Sequence, residues 1–368
     1  MKKLMVLLLI ISMLFIVVAC NNNESAADDQ EPGLADQPQD NQEEQPSWMA
    51  NYTEDMKNVS LNVYSVSDIT HILAAFTEDT GIKAEVLQMT NGEILQRIKN
   101  EKDSGNVLAD VWYRGGADAF VDAAQGGYFM SYESHEAEYF ADYTKDENNY
   151  WIGTTMTLVG FVVNTEVLED IGVEVPQKWD DLLNPDLKGL VSMPDPAISG
   201  TAYNTVSAIL QTRGEDAGWE YLEKLIDQVP FFTPRGSDPT NFTVAGESAV
   251  GVIAAFGERQ MRGDHNPSIQ LVYPQDGTGW WPQPLAILDG AKNVEASKVL
   301  VDWILSEEGM KKISEMDDVL ALREGLEVPE HLYKLEDVTL FPTDFQANAL
   351  ERDSILSKWE EKISAAGH

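Results

Sequence analysis

The chain has one cysteine, Cys20, in 368 residues. That excludes an intramolecular disulfide and a thiolate metal cluster, and leaves the folded body without a catalytic thiol. Histidine is scarce too: His71, His135, His265, His331 and His368 are scattered and show no metal-ligand spacing. Basic residues number 25 against 62 acidic ones, a formal net charge of -37. Such a surface excludes nucleic acid and an anionic membrane face as partners. There is no Gly-x-Ser-x-Gly, no His-Glu-x-x-His and no Walker-type glycine loop. Asp and Glu are so abundant that pairing any two as acid and base is arbitrary. The sequence therefore reads as a non-enzyme that needs no cofactor and no resident metal, and a secreted hydrolase is only a distant alternative.

What is present begins with Met1-Lys2-Lys3 and an apolar run over residues 4–19. This run is shorter than the roughly 20 residues of a membrane-spanning helix and reads as a secretory leader, residues 1–19. It ends Val17-Val18-Ala19-Cys20, which looks like a lipobox, so Cys20 is the expected lipid attachment point. An uncleaved anchor and a plain secreted protein are the alternatives. Residues 20–57 are rich in Asn, Gln, Asp, Glu and Pro, and bury too little apolar surface to offset their chain entropy. They read as an acidic, disordered tether between the lipid and a folded body of two lobes or two modest domains.

In that body, residues 61–64 are a strand candidate, and Ile69, Ile72, Leu73 and Phe76 form a helical stripe capped by Asp68 and closed by Gly81. A strand over 82–89, a helix from Asn91 and a strand over 107–112 complete a βαβαβ order, which implies a parallel sheet. Ligands of such sheets sit beyond the carboxyl ends of the strands. That singles out residues 65–68, 90–93 and 113–116. Residues 155–164 suit a central strand or a crossover. Helices are expected from Gly200, through 219–226, over 295–316 and over 344–363, with strands at 190–193 and 248–255. Strands at 269–273 and 285–288 would return to the first lobe. Ser199-Gly200-Thr201 follows Pro194-Asp195-Pro196 and opens a helix. It reads equally as an anion seat of hydroxyls and free N–H groups or as an ordinary serine N-cap.

The order Val63-Tyr64, Ala75-Phe76, Thr80-Gly81-Ile82-Lys83, Ala109-Asp110-Val111-Trp112-Tyr113 and Ser199-Gly200-Thr201-Ala202-Tyr203 continues through Gly246-Glu247, Val250-Gly251-Val252-Ile253 and Gly277-Thr278-Gly279-Trp280. It ends with Gly290-Ala291-Lys292-Asn293, Asp302-Trp303 and Ser306-Glu307-Glu308-Gly309. This set resembles the solute-binding lipoproteins of ABC importers, in the cluster that holds ferric-ion binders together with binders of phosphonates and sugar phosphates. The resemblance implies an α/β, two-lobed periplasmic binding protein-like (type II) fold, with mixed sheets flanked by helices and a hinge between lobes. Residues 58–154 and 276–368 would form lobe 1 and its C-terminal helices, and residues 155–275 lobe 2. It also implies a monomer on the outer face of the cell membrane that hands a small molecule to an ABC permease; an adhesin would have no reason to keep this set.

Iron binders of the cluster use a histidine, a glutamate and two adjacent tyrosines. Here those places fall near Ser67-Asp68, on Gly115 after Arg114, and on Phe256-Gly257. A phenyl ring and a glycine offer no phenolate oxygen to a hard cation, so direct ferric chelation is not expected. The resemblance tips Ser199, Gly200 and Thr201 toward the anion seat. Arg114 and Arg235 are candidate clamps on an oxyanion; Arg114 reads equally as an ordinary loop arginine, and Arg235 reads more readily as one. Asp68 or Glu258 could receive an amine, and Trp280 could wall the solute or pack between lobes. The expected solute is a small organic phosphate or phosphonate, a class that includes zwitterions such as an aminoalkylphosphonate. Ferric iron held through an anion or small chelate is the runner-up, and a polyamine comes third.

Overall fold

The computed structural model describes residues 46–236, 238–255, 266–328, 332 and 334–368. The last part of the expected tether is folded: Ser47–Asn51 and Glu54–Asn58 are 3-10 helices that bury Trp48 and Met56 in the core of Leu61 and Phe76, because these two apolar side chains anchor an otherwise polar stretch. β1 (Ser60–Ser65), β2 (Lys83–Gln88) and β3 (Val111–Tyr113) run parallel in the spatial order β2-β1-β3, as the βαβαβ pattern requires. α1 (Thr70–Thr80) and α2 (Asn91–Asp103) are the crossovers, and α1 buries Ile72, Leu73 and Phe76. α1 starts later than expected. The Asp68 carboxylate accepts the Thr70 N–H at 3.0 Å and the Thr70 hydroxyl at 2.7 Å from one residue ahead of the N-cap. β3 also begins late. Asp110 before it is a tie, its carboxylate accepting the N–H groups of Asn62 and Asn293, each at 3.0 Å.

β4 (Ile152–Asn164) is buried at every position. Its first part, to Leu158, pairs antiparallel with β9 (Trp280–Ile287) and touches β10 (Leu320–Ala321). Its second part pairs with β7 (Val250–Ala255) and β8 (Ile269–Val272). β9 continues onto β3, while β5 (Val191–Pro194) and β6 (Phe232–Thr233) extend the sheet beyond β7. Packing divides at the same place. Leu158 and Trp280 share a core with Leu61, Phe76 and Trp303, whereas Val159 and Trp281 share one with Trp179, Tyr203 and Leu222. Residues 269–272 therefore do not return to the first lobe, because β8 lies on the second part of β4.

α3 (Ala117–Gln125) follows β3, α4 (Thr165–Asp170) follows β4, and α5 (Gly200–Arg213) and α6 (Glu215–Ile226) follow β5. α7 (Asp238–Val244) precedes β7. The helix expected over 295–316 is two, α8 (Val294–Leu305) and α9 (Glu307–Asp317). Ser306 turns extended between them, and its hydroxyl accepts the Gly309 N–H at 3.1 Å. α10 (Phe345–Ala366) is capped by the Asp344 carboxylate and mounts on the second lobe. The Tyr203 hydroxyl donates to the Asn348 carbonyl, Lys358 pairs with Glu215 at 3.0 Å, and Trp359 sets its edge against Phe232. No described helix is long and apolar enough to cross a membrane.

Candidate functional site

β5 ends in a tight turn that presents the start of α5. Asp195 makes it: its carbonyl accepts the N–H groups of Ile198 (3.1 Å) and Ser199 (2.8 Å), and its carboxylate accepts that of Ala197 (2.9 Å). Ser199 stands at the N-cap of α5, yet its side chain accepts no capping bond. The N–H groups of Gly200, Thr201 and Ala202 are first-turn donors without an intrahelical acceptor. The loop after β6 closes over this end. A Cβ on Gly236 would lie 2.7 Å from the Thr201 hydroxyl and 3.3 Å from the Ser199 hydroxyl. Both hydroxyls thus border one small space, at the positive end of a helix. Arg235, next in that loop, is exposed, and its guanidinium has no partner among the described residues; its N–H donates to the Asp238 carboxylate at 3.0 Å.

The first lobe faces this seat with Asn91 and the β3–α3 turn. The Asn91 side-chain oxygen accepts the Gly116 N–H at 3.2 Å. Its amide nitrogen is the nearest atom, at 4.0 Å, to a Cβ built on Gly200. A Cβ on Gly115 would come 2.8 Å from the Asn91 oxygen and 2.9 Å from the Phe120 ring. The position aligned with an iron-binding glutamate is thus closed to any side chain unless its neighbours move. Among the described residues no three His, Cys, Asp or Glu side chains converge to hold a metal ion.

Other candidates lie elsewhere. Arg114 adopts a left-handed backbone (φ 66), and its buried guanidinium pairs with the Asp317 carboxylate, which also bonds His71 at 2.6 Å. Its charge is compensated within the first lobe. Asp68 is exposed and engaged with Thr70, whose hydroxyl and N–H hold its carboxyl below the usual range. Ser67 is half-buried, and its N–H donates to the Ser65 hydroxyl at 3.1 Å. Trp280 lies in a strand that begins five residues before the one expected at 285–288. It is buried in β9, donates from its indole to the Phe341 carbonyl (2.9 Å) and meets Tyr143 and Phe345 edge to face. Glu258, Phe256-Gly257 and Cys20 lie outside the described residues.

Asn91 lies in the 90–93 segment singled out beyond the strand ends, though nothing in the sequence places its side chain opposite Gly200, and Gly236 is visible only as the neighbour of Arg235. Asp118 and Arg352, which meet at 2.9 Å beside Gly116, carried no signal at all.

The model of the bacterial extracellular solute-binding protein family matches residues 106–334. An uncharacterised Haemophilus influenzae protein is 30% identical over 79% of this chain and 86% of its own length. A Salmonella typhimurium protein bearing the provisional name 2-aminoethylphosphonate-binding periplasmic protein is 25% identical over 78% of this chain and 85% of its own. Among solved structures, the periplasmic binding protein AfuA from Actinobacillus pleuropneumoniae, with fructose-6-phosphate bound, superposes with a TM-score of 0.75 at 28% identity. That match covers 83% of this chain and 98% of AfuA. With its mixed sheet, its two cores joined through β4 and β9 and a family match over most of its length, the chain belongs to the bacterial extracellular solute-binding proteins.

Proposed function

We propose that the chain is the extracytoplasmic receptor of an ABC importer, held to the outer face of the membrane by a lipid on Cys20, and that it delivers a small organic phosphate or phosphonate unchanged. The observation that carries this reading is the uncapped start of α5, where the Ser199 and Thr201 hydroxyls and three free N–H groups border one space. These groups are donors, and the helix dipole adds to them, so an oxyanion is the group that satisfies them together. Fructose-6-phosphate and 2-aminoethylphosphonate, printed with two similar proteins, both carry a phosphorus oxyanion on a small organic body. Arg235 supplies an exposed positive charge from the loop, and the Asn91 amide supplies a donor from the other lobe.

With lobe 1 taken as residues 58–154 and 276–344, and lobe 2 as residues 155–275 with α10 mounted on it rather than on lobe 1 as first expected, β4 and β9 are the strands on which the lobes turn. A solute touching both the α5 start and Asn91 makes its full set of contacts only when the lobes are closed, and so shifts the balance toward closure. The test is titration calorimetry with fructose 6-phosphate, 2-aminoethylphosphonate and inorganic phosphate, repeated on Ser199→Ala/Thr201→Val. Hydrogen bonds to a charged group contribute about 1.5–3 kcal/mol each, so the double variant should bind at least roughly tenfold more weakly. The solute should be recovered intact. Equal affinity in the variant, or turnover of the solute, would overturn the reading.

A further inference from the structure

Asp118 lies in the first turn of α3, a helix bedded in the first lobe through Phe120 and Ala123. Its carboxylate meets the Arg352 guanidinium at 2.9 Å, and that guanidinium lies over the Tyr203 ring, 4.3 Å from its centroid. Arg352 belongs to α10, which lies along α3 and is tied to the second lobe by Asn348, Lys358 and Trp359. The start of α3 is itself at the lobe boundary, since Ala117 packs in the second lobe's core. Of the two side chains, that of Asp118 is 10% exposed and that of Arg352 33%. This pair therefore spans the two lobes, beside the seat but without a part in it.

We propose that Asp118 and Arg352 form a gate on lobe closure, in which the first lobe's carboxylate can be buried against the second lobe only with the α10 arginine over it. This rests on the two-lobe reading above and deepens it, because the pair would set affinity without touching solute. A buried ion pair that loses one partner leaves an uncompensated charge, whereas loss of both charges is close to neutral. Burial pushes the Asp118 carboxyl above the usual range even with Arg352 opposing, so the desolvation is large. The cycle is therefore asymmetric. Arg352→Gln strands a buried carboxylate and opens the lobes. Asp118→Asn leaves Arg352 on the Tyr203 ring and partly in water, and changes little. The double variant closes again.

Because the gate is built of protein alone, it is tested without solute. Spin labels at cysteines placed at exposed Lys99 (α2) and Lys224 (α6), in the full chain carrying Cys20→Ser, report the distance between lobes by double electron–electron resonance. The expected result is a short-distance population that falls at least tenfold in Arg352→Gln, stays in Asp118→Asn, returns in the double variant and partly returns in Arg352→Lys. Lys358→Gln loosens the same helix on its own lobe and should leave the distance unchanged. The same distribution in wild type and Arg352→Gln, no return in the double variant, or equal opening by Lys358→Gln would overturn the gate. Failure of phosphate esters to bind would leave these distances as they are, so the two readings fail separately.

Discussion

Gly200 offers a substitution whose effects on stability and binding should have opposite signs. A Cβ built there meets nothing closer than the Asn91 amide nitrogen at 4.0 Å, an ordinary contact. Gly200 is the first residue of α5 and has no left-handed φ, so alanine fits its backbone. Replacing glycine by alanine where the backbone permits it stabilises by about 0.4–1 kcal/mol, mainly by restricting the unfolded chain. Gly200→Ala should therefore unfold at the same or slightly higher urea concentration than wild type. The added methyl, however, points into the space between α5 and Asn91 where the solute is placed. Overpacking a filled space costs about 1–3 kcal/mol, so affinity should fall by roughly fivefold to a hundredfold or more. Calorimetric titration of the solute on both proteins, beside urea melts, reads the two signs. Unchanged affinity would show that the solute does not occupy this space, and a loss of stability would show that the close approach is structural.

Cys20→Ala should release the protein from membranes into the soluble fraction with solute affinity unchanged; a variant that stays membrane-bound refutes the lipid anchor. Trp359→Ala removes a side chain 1% exposed from beneath α10 and should cost about 3–5 kcal/mol in urea unfolding. A cost below about 1 kcal/mol would mean that α10 is not docked as described. The folded Asp118 carboxyl is raised above its unfolded value of 3.8, mainly by burial, so the native state holds that proton more tightly. Its ionised form weakens the fold at neutral pH, and this penalty is relieved as pH falls through the folded pKa toward 3.8. The stability of wild type minus that of Asp118→Asn should thus grow on acidification, and a difference that shrinks reverses the sign.

Much of the frame was legible because local patterns and burial agreed. The α1 stripe, the β1–β3 strands and the helix start at Gly200 follow from period and caps alone. β9 was misread at its start because Gly277, Gly279, Pro282 and Pro284 carry the chemistry of a loop. Pro282 and Pro284 are accommodated where the register against β4 shifts between Gly153 and Thr155, a tertiary feature no single strand announces. The break at Ser306 was overridden by an apolar stripe that continues across it, although serine followed by two glutamates is a start signal. The seat was half legible. Ser199 to Thr201 announce themselves, whereas Asn91 is brought opposite them only by the way the lobes pack. Arg114 ends a strand as expected, but Asp317, 203 positions away, holds it.

The division of labour along β4 also bears on the order in which the chain acquires its shape. The second part of β4 takes partners from residues 250–272, and α4 to α7 come from the stretch between. Its first part waits for β9 and β10, up to residue 321, and β3 waits for β9 as well. A chain emerging from its amino end therefore presents β1 to β3 first but closes their sheet only after that of the second lobe. Until residue 287 has arrived, Val111 to Tyr113 and Ile152 to Leu158 are open strand edges of apolar sequence. The second lobe's strands, from the second part of β4 to β8, are contiguous, so that sheet has the lower loop-closure cost and is the natural first unit to form, with α10 added last.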